Sequence, residues 1–79
     1  MTTFLLPIHD EDGVYLSGAF AKDIEDAKYK FQVEILDNYD FDSKEEFAKS
    51  DWEDFAQLCE INHIQLGDIY DVNEFLPND

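Results

Sequence analysis

The stretch SKEEFAKSDWEDFAQLCEINH, from Ser43 to His63, constrains this chain more than any other. Its apolar residues Ala48, Trp52, Phe55, Ala56 and Cys59 recur at spacings of three and four, the repeat that gathers side chains on one face of an α-helix. Glu45, Glu46, Glu53, Asp54, Gln57 and Glu60 then fall on the remaining surface. A helix with one dry stripe must bury it against another layer, so the rest of the chain has to supply that layer. Ser43 with Glu46 fits a capping box at the helix start. Ser50 with Glu53 repeats the pattern, so the stretch is either one helix over 43–62 or two short ones broken at Ser50; one helix is the preferred reading.

The partner layer is legible on both sides. TFLLPIH, Thr3 to His9, places Phe4, Leu6 and Ile8 on one side and Thr3, Leu5, Pro7 and His9 on the other, the two-residue period of a strand. Pro7 lacks a backbone donor, which predicts a strand at the edge of its sheet. Asp10 to Gly13 reads as a turn, with Asp12-Gly13 as the dipeptide that tolerates positive φ. Val14, Leu16 and Phe20 then form the inward face of a second strand, with Gly18 among them at a bulge or a close helix contact. Asp23 is placed to cap a helix from Ile24, whose stripe is Ile24, Ala27, Phe31 and Ile35, flanked by Val33 and Leu36. That helix fades near Asp37, and NYDFD, Asn38 to Asp42, links it to the next. Ile64 and Leu66 suggest a third strand before Gly67; Ile69, Val72, Phe75 and Leu76 fit a helical turn as well as an irregular strand. The expected fold is a single α+β domain of order ββααβ. In it a small antiparallel sheet, built from the N-terminal hairpin and a C-terminal strand, carries both helices on one face.

Charge is where the chain departs from ordinary. Among 79 residues, 20 Asp and Glu oppose five Lys, Arg is absent, and the net charge is −15. The lysines all lie between Lys22 and Lys49, and residues 50–79 hold eight acids and no base. Such a balance argues against binding DNA or RNA directly, whose phosphates need a cationic footprint, and against anionic membranes. Seven Phe, four Tyr and one Trp, placed periodically, argue against a disordered acidic tail. A lone Cys forms no internal disulfide, and the chain opens on no signal-peptide pattern and holds no spanning apolar run; the expectation is cytoplasmic.

Catalytic and metal chemistry is weakly supported. His9, Asp10, Glu11 and Asp12 offer an imidazole and three carboxylates on a turn, but four consecutive residues cannot converge on one ion, and a solvated turn is the preferred reading. DNYDFDSKEEF, from Asp37, has the composition of a calcium loop without its central Gly. Cys59 and His63 stand one helical turn apart, the spacing of a thiolate and its base, yet Cys59 shares the face of Trp52 and Phe55 and reads as core. Trp52 likewise reads as core rather than as an exposed anchor. Phosphate loops and nucleophile elbows are absent from the sequence, so neither an enzyme nor a cofactor is expected. Tyr39, Phe41 and Tyr70 are left as contact aromatics, since no firm stripe claims them.

The surface acids are the remaining signal. Carboxylates one helical turn apart are separated by about 5.4 Å along the axis, so acidic helices present ordered negative rows. Glu25, Glu34 and Asp37 on the first helix and Glu46, Glu53, Asp54 and Glu60 on the second form such rows. Asp40 and Asp42 lie in the link beside Tyr39, and Asp68, Asp71 and Glu74 extend the field. With its acidic helices IEDAKYKFQVEILD and KEEFAKSDWEDFAQLCE, the chain resembles the small acidic inhibitors that phages and mobile elements carry against host nucleases, including DNA mimics of the anti-restriction and anti-CRISPR kind. The resemblance covers overall character rather than a motif. It implies a basic, nucleic-acid-binding protein as partner, with carboxylates standing in for phosphates. An immunity-type inhibitor of a nuclease toxin, and an adaptor whose acid serves solubility, are the alternatives. An open sheet edge would also permit a two-fold dimer by strand addition.

Overall fold

The computed structural model describes residues 1–39, 41 and 50–74. Among these residues a four-stranded antiparallel sheet carries two helices on one face, in the α+β arrangement expected from the sequence. Strand β1, Thr2–Asp10, runs through its middle. On one side it pairs over its full length with β2, Gly13–Ala21. On the other it meets β3, Gln65–Leu66, and β4, Tyr70–Asp71.

Pro7 therefore lies in the central strand, not at an edge, and the sheet accommodates it by interrupting the ladder. The Pro7 carbonyl accepts from Gly67 N at 2.8 Å, so the Pro7 nitrogen faces the β3–β4 side. There the register slips by one residue between Ile8↔Leu66 and Leu5↔Tyr70, and beyond the Gly67 bond, where β1 has no donor to give, the pairing lapses until Tyr70. The missing hydrogen bond breaks the neighbouring strand rather than ending the sheet.

The second strand also turns the other way from its apolar pattern. Phe4 pairs with Ala19 and Leu6 with Ser17, and antiparallel partners share a face. Ser17, Ala19 and Ala21 thus point to the helices, while Val14, Leu16 and Phe20 are exposed at 68, 61 and 58%. Packing explains the choice: small side chains on β2 let the first helix settle closely on the sheet, which bulky ones would hold off. Gly18 is on the outer face in an unbroken register, so neither a bulge nor a helix contact accounts for it.

Helix α1, Ile24–Asn38, is capped by Asp23, whose side chain accepts from Asp26 N at 2.8 Å. Ala27, Phe31 and Ile35 are buried as expected, with Gln32 and Leu36 beside them. Ile24 is not part of that core: it is 45% exposed in the first turn, and Val33 is exposed as well. Helix α2, Trp52–Ile61, begins only after Asp51, which is extended at φ −72, ψ 173 and accepts from Asp54 N at 2.9 Å. A helix cannot pass through that ψ, so the continuous helix over 43–62 is excluded. The break falls beside Ser50, and Asp51 rather than Ser50 supplies the cap; residues 43–49 lie outside the described residues. Tyr70 and Asp71 are extended and Val72–Glu74 forms one 3-10 turn, so each reading holds for part of the described stretch; Phe75 and Leu76 lie outside the described residues.

Phe55 and Cys59 from α2, Phe31 and Ile35 from α1, and Leu6 and Ile8 from β1 meet in the core at 2% exposure or less. Trp52 packs at its margin, its ring 5.9 Å from that of Phe55. Phe41, expected as a surface contact, is buried at 8% with them. An aromatic ring beside the core gains more by burial than by exposure.

Candidate functional site

The acidic surface is built from two unlike halves. On α1, Glu25 is exposed but sits 3.4 Å from Lys28 Nζ, and Asp26 lies 3.5 Å from Lys30 Nζ. The carboxylate of Glu34 accepts from Ser17 Oγ at 3.0 Å, tying the helix to β2, and Asp37 is exposed near the helix end. The α1 row is thus interleaved with lysines and partly engaged with its own sheet. On α2, Glu53, Asp54 and Glu60 are exposed, and among the described residues no base pairs with any of them. Glu53 and Glu60, seven residues apart, share one side of the helix about 10 Å apart along its axis.

The end of α2 delivers this row to the hairpin tip. His63 N donates to Glu60 O at 3.0 Å and Ile64 N to Cys59 O at 2.8 Å, with His63 in the left-handed conformation at φ 66. These are the two bonds of a Schellman motif, in which His63 takes the place usually held by Gly. The chain turns directly into β3, and Gln65 pairs with His9. One surface cleft is consequently lined by His9, Asp10, Glu11, Glu60, His63 and Gln65. Asp12 joins Asp10 and Glu11 in the adjoining cleft beside Tyr39 and Asn62. Glu60, at the end of the unopposed α2 row, therefore meets the acids of the β1–β2 turn.

Local bonds hold the tip in place. Asp10 Oδ1 accepts from Asp12 N at 2.8 Å, and Asp10 Oδ2 from the Tyr39 hydroxyl at 2.6 Å. Since the single Tyr39 proton goes to Asp10, the Tyr15 hydroxyl, also 2.6 Å away, donates to Tyr39. The Tyr39 and Asp12 bonds hold the Asp10 carboxyl below its ordinary pKa, so it stays charged into acid. Burial, then the bond to Asp10, pushes the Tyr39 phenol well above its ordinary value. On α1, the Lys22 N–H and the nearby Lys30 lower Asp26 in the same way. Tyr39 is thus a brace between α1 and the hairpin.

The other expected site residues are scattered. Asp68 is exposed between β3 and β4, Asp71 is half-buried with Oδ1 accepting from Asn73 N at 2.9 Å, and Glu74 closes the 3-10 turn. Asp40, Asp42 and Glu46 lie outside the described residues. Sequence reasoning set aside Asp10, Glu11 and Asp12 as a solvated turn; what joins them to Glu60 is the pairing of β3 with β1. The signal for it was the third strand read directly after His63. Cys59, fully buried, has its thiol pushed up to about 12 by burial, which disfavours the thiolate. Among the described residues, no three His, Cys, Asp or Glu side chains are placed to hold a metal ion, and no helix is long and apolar enough to cross a membrane. Compared with protein-family models, curated proteins and solved structures, the chain matches none.

Proposed function

We propose that this chain is a non-enzymatic acidic binding protein that inhibits a basic nucleic-acid-interacting protein by occupying its nucleic-acid site. The observation that carries the reading is the segregation of charge. The exposed acids of α2, Glu53, Asp54 and Glu60, have no basic partner among the described residues, and Glu60 shares a cleft with Asp10 and Glu11 at the hairpin tip. Carboxylates held on a helix and a braced turn present fixed negative charges to a groove built for phosphates, and the long-range field speeds encounter. The partner class is a nuclease or a CRISPR or restriction effector of the host cytoplasm, the target of the phage and mobile-element inhibitors that this chain resembles.

An immunity-type inhibitor would share the charge but needs exposed aromatic anchors. Burial of Phe41 and the engagement of Tyr39 with Asp10 take away two of the aromatics that the sequence offered as anchors, and the ordered, unpaired acids of α2 favour mimicry.

The test is affinity capture from host lysate at low and high salt, with bound proteins identified by mass spectrometry and assayed on their own substrates. The expected result is a nucleic-acid enzyme that is released by salt, competed by DNA or RNA, and inhibited by the wild-type protein. Glu53→Lys/Glu60→Lys should raise the inhibitory concentration by roughly tenfold or more, while Glu25→Lys, at a site already paired with Lys28, should change it far less. Capture that ignores salt, nucleic acid and the double reversal would overturn mimicry and return the charge to solubility.

A further inference from the structure

The face of the sheet turned away from the helices has a character unlike the rest of the molecule. Leu5, Pro7 and His9 from β1 and Val14, Leu16 and Phe20 from β2 share this face, as their register requires. None of the outward positions on these two strands is Asp or Glu, and β2 from Gly13 to Ala21 carries no charge at all, in a chain with 20 acids. Val14, Leu16 and Phe20 are each more than half exposed. A contiguous exposed apolar patch of this kind marks an interaction surface.

We propose that this face packs against the same face of a second copy, sheet on sheet, with the two helical layers outermost. Charge selects the occupant. Two molecules of net charge −15 repel wherever carboxylates meet, and this is the face on which they can touch without juxtaposing any from β1 or β2. A basic partner has nothing here to attract it, and an anionic membrane meets no lysine on these outward positions. Face-to-face packing also sets sheets about 10 Å apart, with the helices and their acids beyond them on opposite outer sides.

Area is sufficient for a modest dimer. The nine-residue strands β1 and β2 run about 30 Å and the shorter β3–β4 rank, residues 65–71, about 23 Å; at about 4.8 Å per rank they give roughly 400 Å² of flat face per copy. Side-chain relief from Leu, Val and Phe raises the buried total of the pair to about 1,000 Å², the lower limit of a specific interface. Pairing of β2 with β2 at its open edge is the competing geometry. It would bring Ser17, and with it the Glu34 carboxylate bonded to Ser17 Oγ, close to its own symmetry mate, which opposes it. The proposal stands independently of the function proposed above.

Sedimentation equilibrium of the full chain over a concentration series at high salt, where repulsion is screened, tests it. The expected result is a reversible dimer whose dissociation constant rises about 30-fold with Leu16→Thr and further with Phe20→Glu, because each lesion counts twice in a symmetric pair. Both positions are exposed in the monomer, so the far-UV circular dichroism should hold. A monomer at all concentrations overturns the proposal. So does a dimer indifferent to Leu16→Thr and Phe20→Glu but tightened by Glu34→Gln, which places the contact at the β2 edge instead.

Discussion

His63 occupies a conformation that side chains avoid, and replacing it tests the junction between α2 and β3. At φ 66 a Cβ crowds the following carbonyl, at a cost of about 1–2 kcal/mol relative to Gly. Gly loses more backbone freedom on folding, which returns about 0.5–1 kcal/mol. The imidazole is exposed and makes no hydrogen bond to a described residue, so its removal adds little. His63→Gly should therefore stabilise the fold by about 0.5 kcal/mol, or about 2–4 °C in a domain of this size. His63→Val should destabilise it by about 1 kcal/mol, because a β-branched residue fits the left-handed region worst. Urea unfolding followed by Trp52 fluorescence reads both, since Trp52 packs against the core beside Phe55. A destabilising Gly together with a neutral Val is the pattern of an ordinary helix end. It would refute both the Schellman geometry and the route by which Glu60 reaches the hairpin tip.

The buried thiol and the tyrosine brace give two further expectations. Cys59 should resist thiol reagents at pH 8 in the native protein and react fully in urea, since its pKa is pushed up to about 12 by burial. A group whose folded pKa is raised contributes stability below its unfolded value and loses it above. Stability should therefore decline as pH rises past 9.0, where the unfolded thiol ionises, and Cys59→Ala should flatten that decline; an unchanged alkaline limb would contradict it. Tyr39→Phe removes the largest cause of the low Asp10 pKa, so the Asp10 carboxyl resonance should titrate at higher pH. Here the folded pKa is depressed: the contribution is present above the ordinary 3.8 and lost as pH falls through the folded value, so the variant should lose that acid-side contribution sooner. An unmoved Asp10 titration would show that the brace is not formed in solution.

Several elements were legible without the structure because their signals are local. Asp23 capping α1 depends on residues within one helical turn, and so does the stripe of Ala27, Phe31 and Ile35. Phe4, Leu6 and Ile8 alternate against Thr3, Leu5 and Pro7 strongly enough to fix β1 and its buried side. In the candidate site, the charge of α2 was equally plain, since Glu53, Asp54 and Glu60 fall opposite Phe55 and Cys59 by period alone.

What the sequence determined by itself was the fold class, the two helical faces and the imbalance of charge, all of which follow from spacing and composition along the chain. Only the tertiary structure decided which face of β2 points inward, because the choice lay between two alternations and was settled by how closely α1 can approach Ser17, Ala19 and Ala21. It decided that Pro7 is central, since a broken strand across the ladder hides a missing donor as well as an edge does. It also joined Asp10 to Glu60 and left Leu16 and Phe20 on a face whose β1 and β2 positions carry no carboxylate, because strand pairing sets neighbours that no spacing along the chain records.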